Sequence, residues 1–400
     1  MRTRILGAAA ALSLVALASA ALPTAASAAP RVSETEHRYI VQAVSGSAAK
    51  GAAADVAQDG GDVEAVYTRV FAGFSATMTA AQADELEAQS GVTSVVADQK
   101  VTVTGTQTSP TWGLDRIDQR ATTANKTYKY STTGAGVTAY VVDSGVRLTH
   151  SQFGGRATSG YDFVDDDTNA SDCNGHGTHV AGTIGGSTYS VAKAVRIVSV
   201  RVLDCNGAGW ASDIVASLDW IVAHKGSGPA VVNMSVGAAA FQPLDDAVAR
   251  TVSAGIAVVV AAGNAGTNAC TTSPARAKAA ITVGATDAKD TRASWSNYGS
   301  CLDVFAPGVD IKSASVDSNS ATTTMSGTSM ATPHTTGAVA RYLQNHQKST
   351  PAQTVAALTT ASTKSAVKDA KGSVNRLLYV APTSTTIFSA TTVTTSRSSR

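Results

Sequence analysis

The sequence predicts an α/β fold, a mostly parallel twisted sheet with helices on both faces, preceded by a smaller α+β domain. Three observations predict it. From about residue 112 to 381, short β-branched runs alternate with helical stretches, which is the signature of a sheet covered on both sides. The predicted strands are near-continuous Val, Ile and Ala, as expected when both faces are buried. Ahead of them, residues 29–105 read β-α-β-β-α-β, the order of a split βαβ, ferredoxin-like sandwich.

In chain order, Arg2 and Arg4 precede an Ala/Leu/Val run from Ile5 to Leu22, which Pro23 breaks, and Ala26-Ser27-Ala28 follows as a small-x-small cleavage pattern. This is the form of a secretory signal over residues 1–28. Its Ala-rich run with a cleavage site directly behind argues against a membrane anchor. No other stretch has the roughly 18 continuous apolar residues of a span.

In residues 29–105, His37–Val44 reads as a strand and Ser47–Ala57 as an Ala-rich helix ended by Gly60-Gly61. Val63–Phe71 and Phe74–Met78 are strands around Gly73. Thr79-Ala80-Ala81-Gln82 is a capping box, opening a helix with Ala83, Leu86 and Glu87 at helical spacing. Gly91 ends that helix, and Val92–Val103 is the last strand. This segment carries five Lys/Arg against ten Asp/Glu, and the remainder of the chain is positive, so the two parts attract weakly.

In residues 106–381 the predicted strands are Val137–Asp143, Arg196–Leu203, Ala230–Val236, Ile256–Gly263 and Ala279–Ala285. The predicted helices are His176–Ile184, Ser212–His224, Pro243–Ala254 and Ser329–Asn345, and Ile214, Leu218, Ile221 and Val222 form an apolar stripe on the second. Residues 382–400 hold 12 Ser/Thr among 19 and no acid, a flexible tail that cannot bury a core.

Composition narrows the function. Of the 400 residues, 44% are apolar and 15% charged, and the net charge is +2. That balance, with no basic run, argues against nucleic acid or membrane as a partner. Four cysteines in a secreted chain favour disulfides, with three pairings open; no CxxC suggests a metal site.

The chemistry lies in four stretches. Val141-Val142-Asp143-Ser144-Gly145 ends a strand with a carboxylate. Asn174-Gly175-His176-Gly177-Thr178-His179 opens a helix with an imidazole. Ala261-Ala262-Gly263-Asn264 ends a strand with an amide, and Gly327-Thr328-Ser329-Met330 opens a helix with a hydroxyl. Ligands of open parallel sheets bind at the carboxyl ends of the strands. Acyl transfer needs a nucleophile, a base near neutral pH, an orienter for the base and oxyanion donors. Ser329, His176 and Asp143 fit the first three roles, and the Asn264 amide with the Ser329 backbone N–H fits the fourth. Zinc binding by His176 and His179 is disfavoured, because Gly177-Thr178 stand where HExxH has its carboxylate.

These blocks, GHGTHVAGT and GTSMATPH above all, resemble the subtilisin-like serine proteases of the proteinase K and aqualysin branch. The order Asp, His, Ser is the subtilisin order. Further matches are Trp112-Gly113-Leu114-Asp115-Arg116-Ile117-Asp118, Asn233-Met234-Ser235 and Trp295-Ser296-Asn297-Tyr298-Gly299. The resemblance implies a secreted, monomeric endopeptidase acting on polypeptides. Its own prodomain, residues 29–105, would inhibit it and be removed by self-cleavage just before Trp112, around Gly105 to Ser109. It implies disulfides Cys173–Cys205 and Cys270–Cys301. Gly207-Ala208-Gly209-Trp210 would pair with substrate backbone. Val236-Gly237-Ala238 and Ala261-Ala262-Gly263 would wall the pocket for the side chain before the cut bond, which both walls make apolar. Cleavage after large apolar or aromatic residues is expected, with the methyls of Ala238-Ala239-Ala240 narrowing the pocket. No catalytic cofactor is implied. Structural calcium is expected at Asp303 with the carbonyls of Lys278 and Ala280. A second site is expected at Asp115, Asp118 and Gln119, whose later ligands fall at Asn125 and Thr127. The acidic loop Asp165-Asp166-Asp167 with Asp172 reads equally as a third ion site or as solvated charge.

Overall fold

The computed structural model describes residues 36–98 and 105–382. The expected signal segment, the end of the Val92–Val103 strand and the tail beyond residue 382 lie outside them. The chain divides into two compact units, one ending at Lys100 and one beginning at Val101.

The first unit follows β1 (His37–Ala43), α1 (Gly46–Gln58), β2 (Asp62–Tyr67), β3 (Gly73–Met78), α2 (Ala80–Glu87) and β4 (Val92–Ala97). Its four strands pair antiparallel in the order β2-β3-β1-β4. The Ser45 hydroxyl caps α1, and Thr79 and Gln82 form the capping box of α2. Ala52, Ala53 and Val56 of α1 and Ala83 and Leu86 of α2 pack with Val41, Phe74, Ala76 and Met78 of the sheet. Strand β2 ends at Tyr67, short of the Phe71 expected from sequence.

The second unit opens with β5 (Gly105–Thr108), α3 (Trp112–Ile117) and β6 (Thr127–Tyr130), with β5 and β6 antiparallel. The main body follows as β7 (Thr138–Asp143), β8 (Ala157–Asp162), α4 (His176–Gly185), β9 (Arg196–Arg201), α5 (Ala211–His224) and β10 (Ala230–Met234). Next come β11 (Ala238–Ala239), α6 (Gln242–Ser253), β12 (Ala257–Ala261), β13 (Thr272–Ser273), β14 (Ile281–Thr286) and β15 (Val304–Pro307). The chain closes with β16 (Ile311–Ala314), β17 (Thr322–Met325), α7 (Thr328–Asn345), α8 (Pro351–Ala361), β18 (Thr363–Lys364) and β19 (Arg376–Leu377). A nine-stranded sheet runs β18-β19-β15-β14-β12-β10-β7-β9-β8, parallel except for the β18–β19 edge pair.

Burial on both faces explains the near-continuous apolar strands. Ala139 and Val141 of β7 face Val180, Ile184, Met330 and Val339 of α4 and α7. Tyr140 and Val142 of the same strand face Ile214, Leu218, Leu244 and Val248 of α5 and α6. The predicted strands and helices of this unit all occur, with ends moved by at most two residues. The resulting order places the ends of β7, β10 and β12 side by side, above the N-terminus of α7.

Candidate active site

Asp143 is the last residue of β7 and is fully buried. His176 is the first residue of α4, one crossover away. The His176 Nδ1–H donates to Asp143 Oδ1 at 2.7 Å, and the same oxygen accepts from the Ser144 backbone N–H at 2.8 Å. The residue after the imidazole must be glycine: a Cβ on Gly177 would lie 2.1 Å from the Gly145 carbonyl oxygen and 3.1 Å from Asp143 Cβ. That close approach lets the first turn of α4 sit against the end of β7.

Burial pulls the His176 pKa down, but the charge and hydrogen bond of Asp143, with the charge of Asp172, outweigh it, and the net shift is above the ordinary 6.5. The other two imidazoles nearby behave oppositely. Burial lowers His179 and His334 each to about 4, so both are neutral at pH 7. His179 Nε2–H donates to the Ile311 carbonyl, and His334 Nδ1–H to the Met330 carbonyl. His179 is therefore a strut between α4 and β16.

Ser329 lies in the first turn of α7, where the positive end of the helix dipole favours negative charge. Its hydroxyl donates to the Ser235 carbonyl at 3.2 Å, so in this rotamer its partner is a carbonyl and not the imidazole. Pro333 follows four residues later inside the helix and lacks the N–H that would bind the Ser329 carbonyl. The Ser235 hydroxyl takes that place, donating to the Ser329 carbonyl at 2.9 Å, while Asn233 Nδ2 donates to Ser235 Oγ at 3.0 Å. The Asn233-Met234-Ser235 match thus has a physical reason: it anchors the backbone of Ser329.

Asn264 lies three residues beyond β12. Its Oδ1 accepts from the Thr328 N–H and hydroxyl, both at 2.8 Å, which fixes the amide and leaves Nδ2 as its free donor. Asn264 Nδ2 and Ser329 N lie 3.6 and 3.5 Å from the point where a Gly327 Cβ would stand, so two donors flank one vacancy in the chain. Buried Asn297 shapes the loop that carries Asn264. Its Oδ1 accepts from the Ala265 and Thr267 N–H groups, and its Nδ2 donates to the Ala262 carbonyl. Gly263 has φ +99°, and a Cβ there would meet Asn297 Nδ2 at 2.5 Å. The sequence marked Asn297 only as part of a matching string; its polar burial between two loops was the missing signal.

Beside Ser329 opens a cavity of about 420 Å³ lined by Ser235, Val236, Gly237, Ala238, Ala261, Ala262, Gly263, Asn264, Thr328 and Ser329, among others. No charged residue lines it among the described residues. Ala238 pairs with Ser273 and is exposed. Gly207, Ala208 and Gly209 form an irregular loop after β9, and Trp210, 75% exposed, leads into α5. The disulfides are Cys173–Cys205 and Cys270–Cys301, and the first ties this loop to the stretch before His176.

The candidate calcium positions differ in fit. Asp303 Oδ2 accepts from the Thr282 N–H, and burial raises its pKa; it adjoins the Lys278–Ala280 stretch in this way. Asp115 takes the Asn125 and Lys126 N–H groups and the Gln119 amide, and Asp118 Oδ2 takes the Lys129 N–H. Asp118 Oδ1 is buried without a partner, and burial raises the Asp118 pKa to about 6. An orphaned carboxylate oxygen near a second carboxylate suits a cation. Asn125 Oδ1 is taken by Thr127 N–H and hydroxyl. The third position does not assemble. Asp165 pairs with Arg201, Asp166 accepts from Tyr161, Asp167 accepts from Asn169 N, and both oxygens of Asp172 serve the start of α4. Those carboxylates are structural acceptors, which corrects the third-ion reading.

A parallel sheet covered on both faces, with an Asp–His pair, a helix-start serine and an apolar cavity at its carboxyl edge, is the layout of a serine hydrolase. Comparison with known proteins narrows this class. Residues 134–378 match the model of the subtilase family, and residues 15–104 match that of peptidase inhibitor I9. An extracellular serine proteinase of Thermus sp. (strain Rt41A) is 52% identical over 80% of this chain and 78% of its own length. Alkaline serine exoprotease A of Vibrio alginolyticus is 48% identical over 79% of this chain, which spans 60% of that longer protein. The crystal structure of a cold-adapted subtilisin-like serine proteinase superposes with a TM-score of 0.67 at 51% identity, covering 68% of this chain and 99% of that one. The chain belongs to the subtilase family. It is an extracellular subtilisin-like serine endopeptidase made with an I9-type propeptide.

Proposed function

We propose that Ser329 is the nucleophile, His176 its base, Asp143 the orienter of that base, and Asn264 Nδ2 with the Ser329 N–H the oxyanion donors. The observation that carries this reading is the 2.7 Å His176–Asp143 bond beside a helix-start serine and an apolar cavity. With Nδ1–H committed to Asp143, Nε2 is the lone pair that takes the Ser329 proton as Oγ attacks the peptide carbonyl. The tetrahedral oxygen gains negative charge where two fixed donors converge, and collapse expels the amine with the proton from His176. Water repeats the sequence on the acyl-enzyme and regenerates Ser329.

The cavity supports cleavage after large apolar or aromatic residues, since its walls carry no charge and its volume lies within the roughly 300–1,000 Å³ of small-ligand pockets. The exposed loop Gly207–Trp210 would hold the substrate backbone as an added strand. We propose boundaries at residues 1–28 for the signal, 29–105 for the inhibitory and folding-assisting prodomain, 106–381 for the catalytic domain and 382–400 for the tail. Self-cleavage would release a monomeric enzyme. Calcium would be held by Asp303 with the Lys278 and Ala280 carbonyls, and by Asp115, Asp118 and Gln119. There it would supply cross-linking charge and no catalytic step.

Ser329→Ala tests the reading. The variant is expected to be secreted with its prodomain uncut and to hydrolyse no peptide, and wild type is expected to favour Phe, Tyr or Leu before the cut bond. Processing of Ser329→Ala to the wild-type mass, in the absence of another protease, refutes the nucleophile. A preference for Lys or Arg refutes the pocket reading.

A further inference from the structure

One carboxylate beside the site is engaged by five donors, none of them a cation. Asp172 Oδ1 accepts from the Ser144 hydroxyl at 3.0 Å and from the Asn174 and Gly175 N–H groups, each at 2.9 Å. Its Oδ2 accepts from the Thr178 N–H at 2.9 Å and the Thr178 hydroxyl at 2.5 Å. Ser144 reaches both ways: its N–H donates to Asp143 Oδ1 and its Oγ accepts from Gly177 N–H at 3.0 Å. Thr178 Oγ1 in turn accepts from the Arg147 N–H. Asp143, Ser144, Asp172 and the first turn of α4 are therefore one connected hydrogen-bond frame.

We propose that Asp172 is a positioning residue for His176: its carboxylate locks the strand end that carries Asp143 to the helix start that carries His176, and places a second negative charge behind the imidazole. The physical reason lies in the placement of His176 as the first helical residue. There the positive end of the helix field opposes an imidazolium, which must form when the imidazole takes the serine proton. A carboxylate bound to the N–H groups of Gly175 and Thr178 offsets that field at its source. Consistent with this, the Asp172 charge is among the causes that raise the His176 pKa, after the charge and hydrogen bond of Asp143.

The other ionisable groups around α4 leave Asp143 and Asp172 as the anions that act on His176. On α4 and α7, His179 and His334 are neutral at pH 7. From the 311–325 hairpin, Lys312 points over Tyr189 and Asp317 accepts from the Ser315 hydroxyl. Arg147 binds Val316 O and Asn319, His150 binds Ala321 O, and Arg201 of β9 pairs with Asp162 and Asp165.

The test is the pH profile of mature Asp172→Asn enzyme on a chromogenic peptide. Asn keeps the shape and removes the charge, so the acid limb of kcat/KM is expected to move down by about 0.2–0.7 pH unit, the size of one charge at a helix end. The kcat is expected to fall about tenfold, from loss of fixed geometry, with KM nearly unchanged. A lower kcat with the limb at its wild-type pH makes Asp172 merely structural and overturns the inference. Where Asp172→Asn yields no mature enzyme, Ser144→Ala decides. It keeps the charge and cuts the link to the strand, so kcat falls several-fold while KM and the limb stay in place; an unchanged kcat refutes the frame. The inference rests on the Asp143–His176–Ser329 reading. An active Ser329→Ala enzyme defeats that reading, whereas an inert one beside an unshifted limb defeats this inference alone.

Discussion

Acid sensitivity of the catalytic unit follows from two buried imidazoles that take no part in the proposed chemistry. His179 and His334 are 0% and 1% exposed, and burial holds each pKa at about 4, against an ordinary 6.5. The folded pKa is depressed, so the stability these groups contribute is present above pH 6.5 and is lost as pH falls through 6.5 toward 4. Linkage puts the loss at about 2 kcal/mol for each imidazole at pH 5, rising to about 3 kcal/mol below pH 4. Two such groups remove ~4 kcal/mol at pH 5, a large share of the ~5–15 kcal/mol that keeps a domain folded. The causes are visible. Protonating His179 places a charge beside Nδ1, which is buried without a partner, and protonating His334 charges a buried ring on α7 packed against Gly113 of α3. The assay is urea unfolding of mature enzyme inactivated with a sulfonyl fluoride, followed by tryptophan fluorescence at pH 7 and pH 5. His334→Gln keeps a donor for the Met330 carbonyl and removes the titration. The loss between the two pH values is expected to shrink by about 2 kcal/mol in this variant. A variant that loses as much stability as wild type between pH 7 and pH 5 refutes the reasoning.

Three further outcomes are expected. Chelation lowers the thermal midpoint of the mature enzyme, more at pH 8 than at pH 5, because Asp118 ionises near pH 6 and its orphaned oxygen then needs a cation; an unchanged midpoint at pH 8 contradicts the calcium reading. Asn264→Ala lowers kcat by about 10²–10³ with little change in KM, read by steady-state kinetics, since one oxyanion donor is worth ~3–4 kcal/mol. A KM effect alone would instead make Asn264 a substrate-binding group. Asn297→Ala leaves two backbone N–H groups and one carbonyl of the 262–267 loop without their partner. It is expected to lower kcat as well as the thermal midpoint, while a midpoint change alone would show that this loop does not position Asn264.

Much of this was readable in the chain. Val137–Asp143, Ala230–Val236 and Ile256–Gly263 stand out because strands buried on both faces have no polar face to obscure them. The four stretches with chemistry stand out because each lies at a strand end or a helix start. The sheet order was not readable, since crossovers bring together strands such as β7 and β10 that lie far apart in sequence. Strand Val304–Pro307 is only four residues long and ends on proline, and the 311–325 hairpin is nearly half Ser and Thr, so neither carries a strong periodic pattern. Helix α8 does carry a local start signal, the capping box of Thr350 with Gln353. At the site, Asp172 looked like one acid in an acidic loop. Its role depends on folding back onto Ser144 and Thr178, and no local pattern encodes that contact. Pro333 lacks the N–H that would bind the Ser329 carbonyl, and only the Ser235–Ser329 bond shows how that carbonyl is satisfied.

The central claim is that Ser329 attacks the peptide carbonyl with His176 as its base. The most direct measurement is peptide mass mapping of mature enzyme treated with a fluorophosphonate at pH 8. The account predicts a single adduct on Ser329, at a rate that falls at low pH as His176 becomes protonated, and collapse of that labelling in His176→Ala. A matured enzyme that hydrolyses peptides but takes the adduct elsewhere, or takes none, contradicts it.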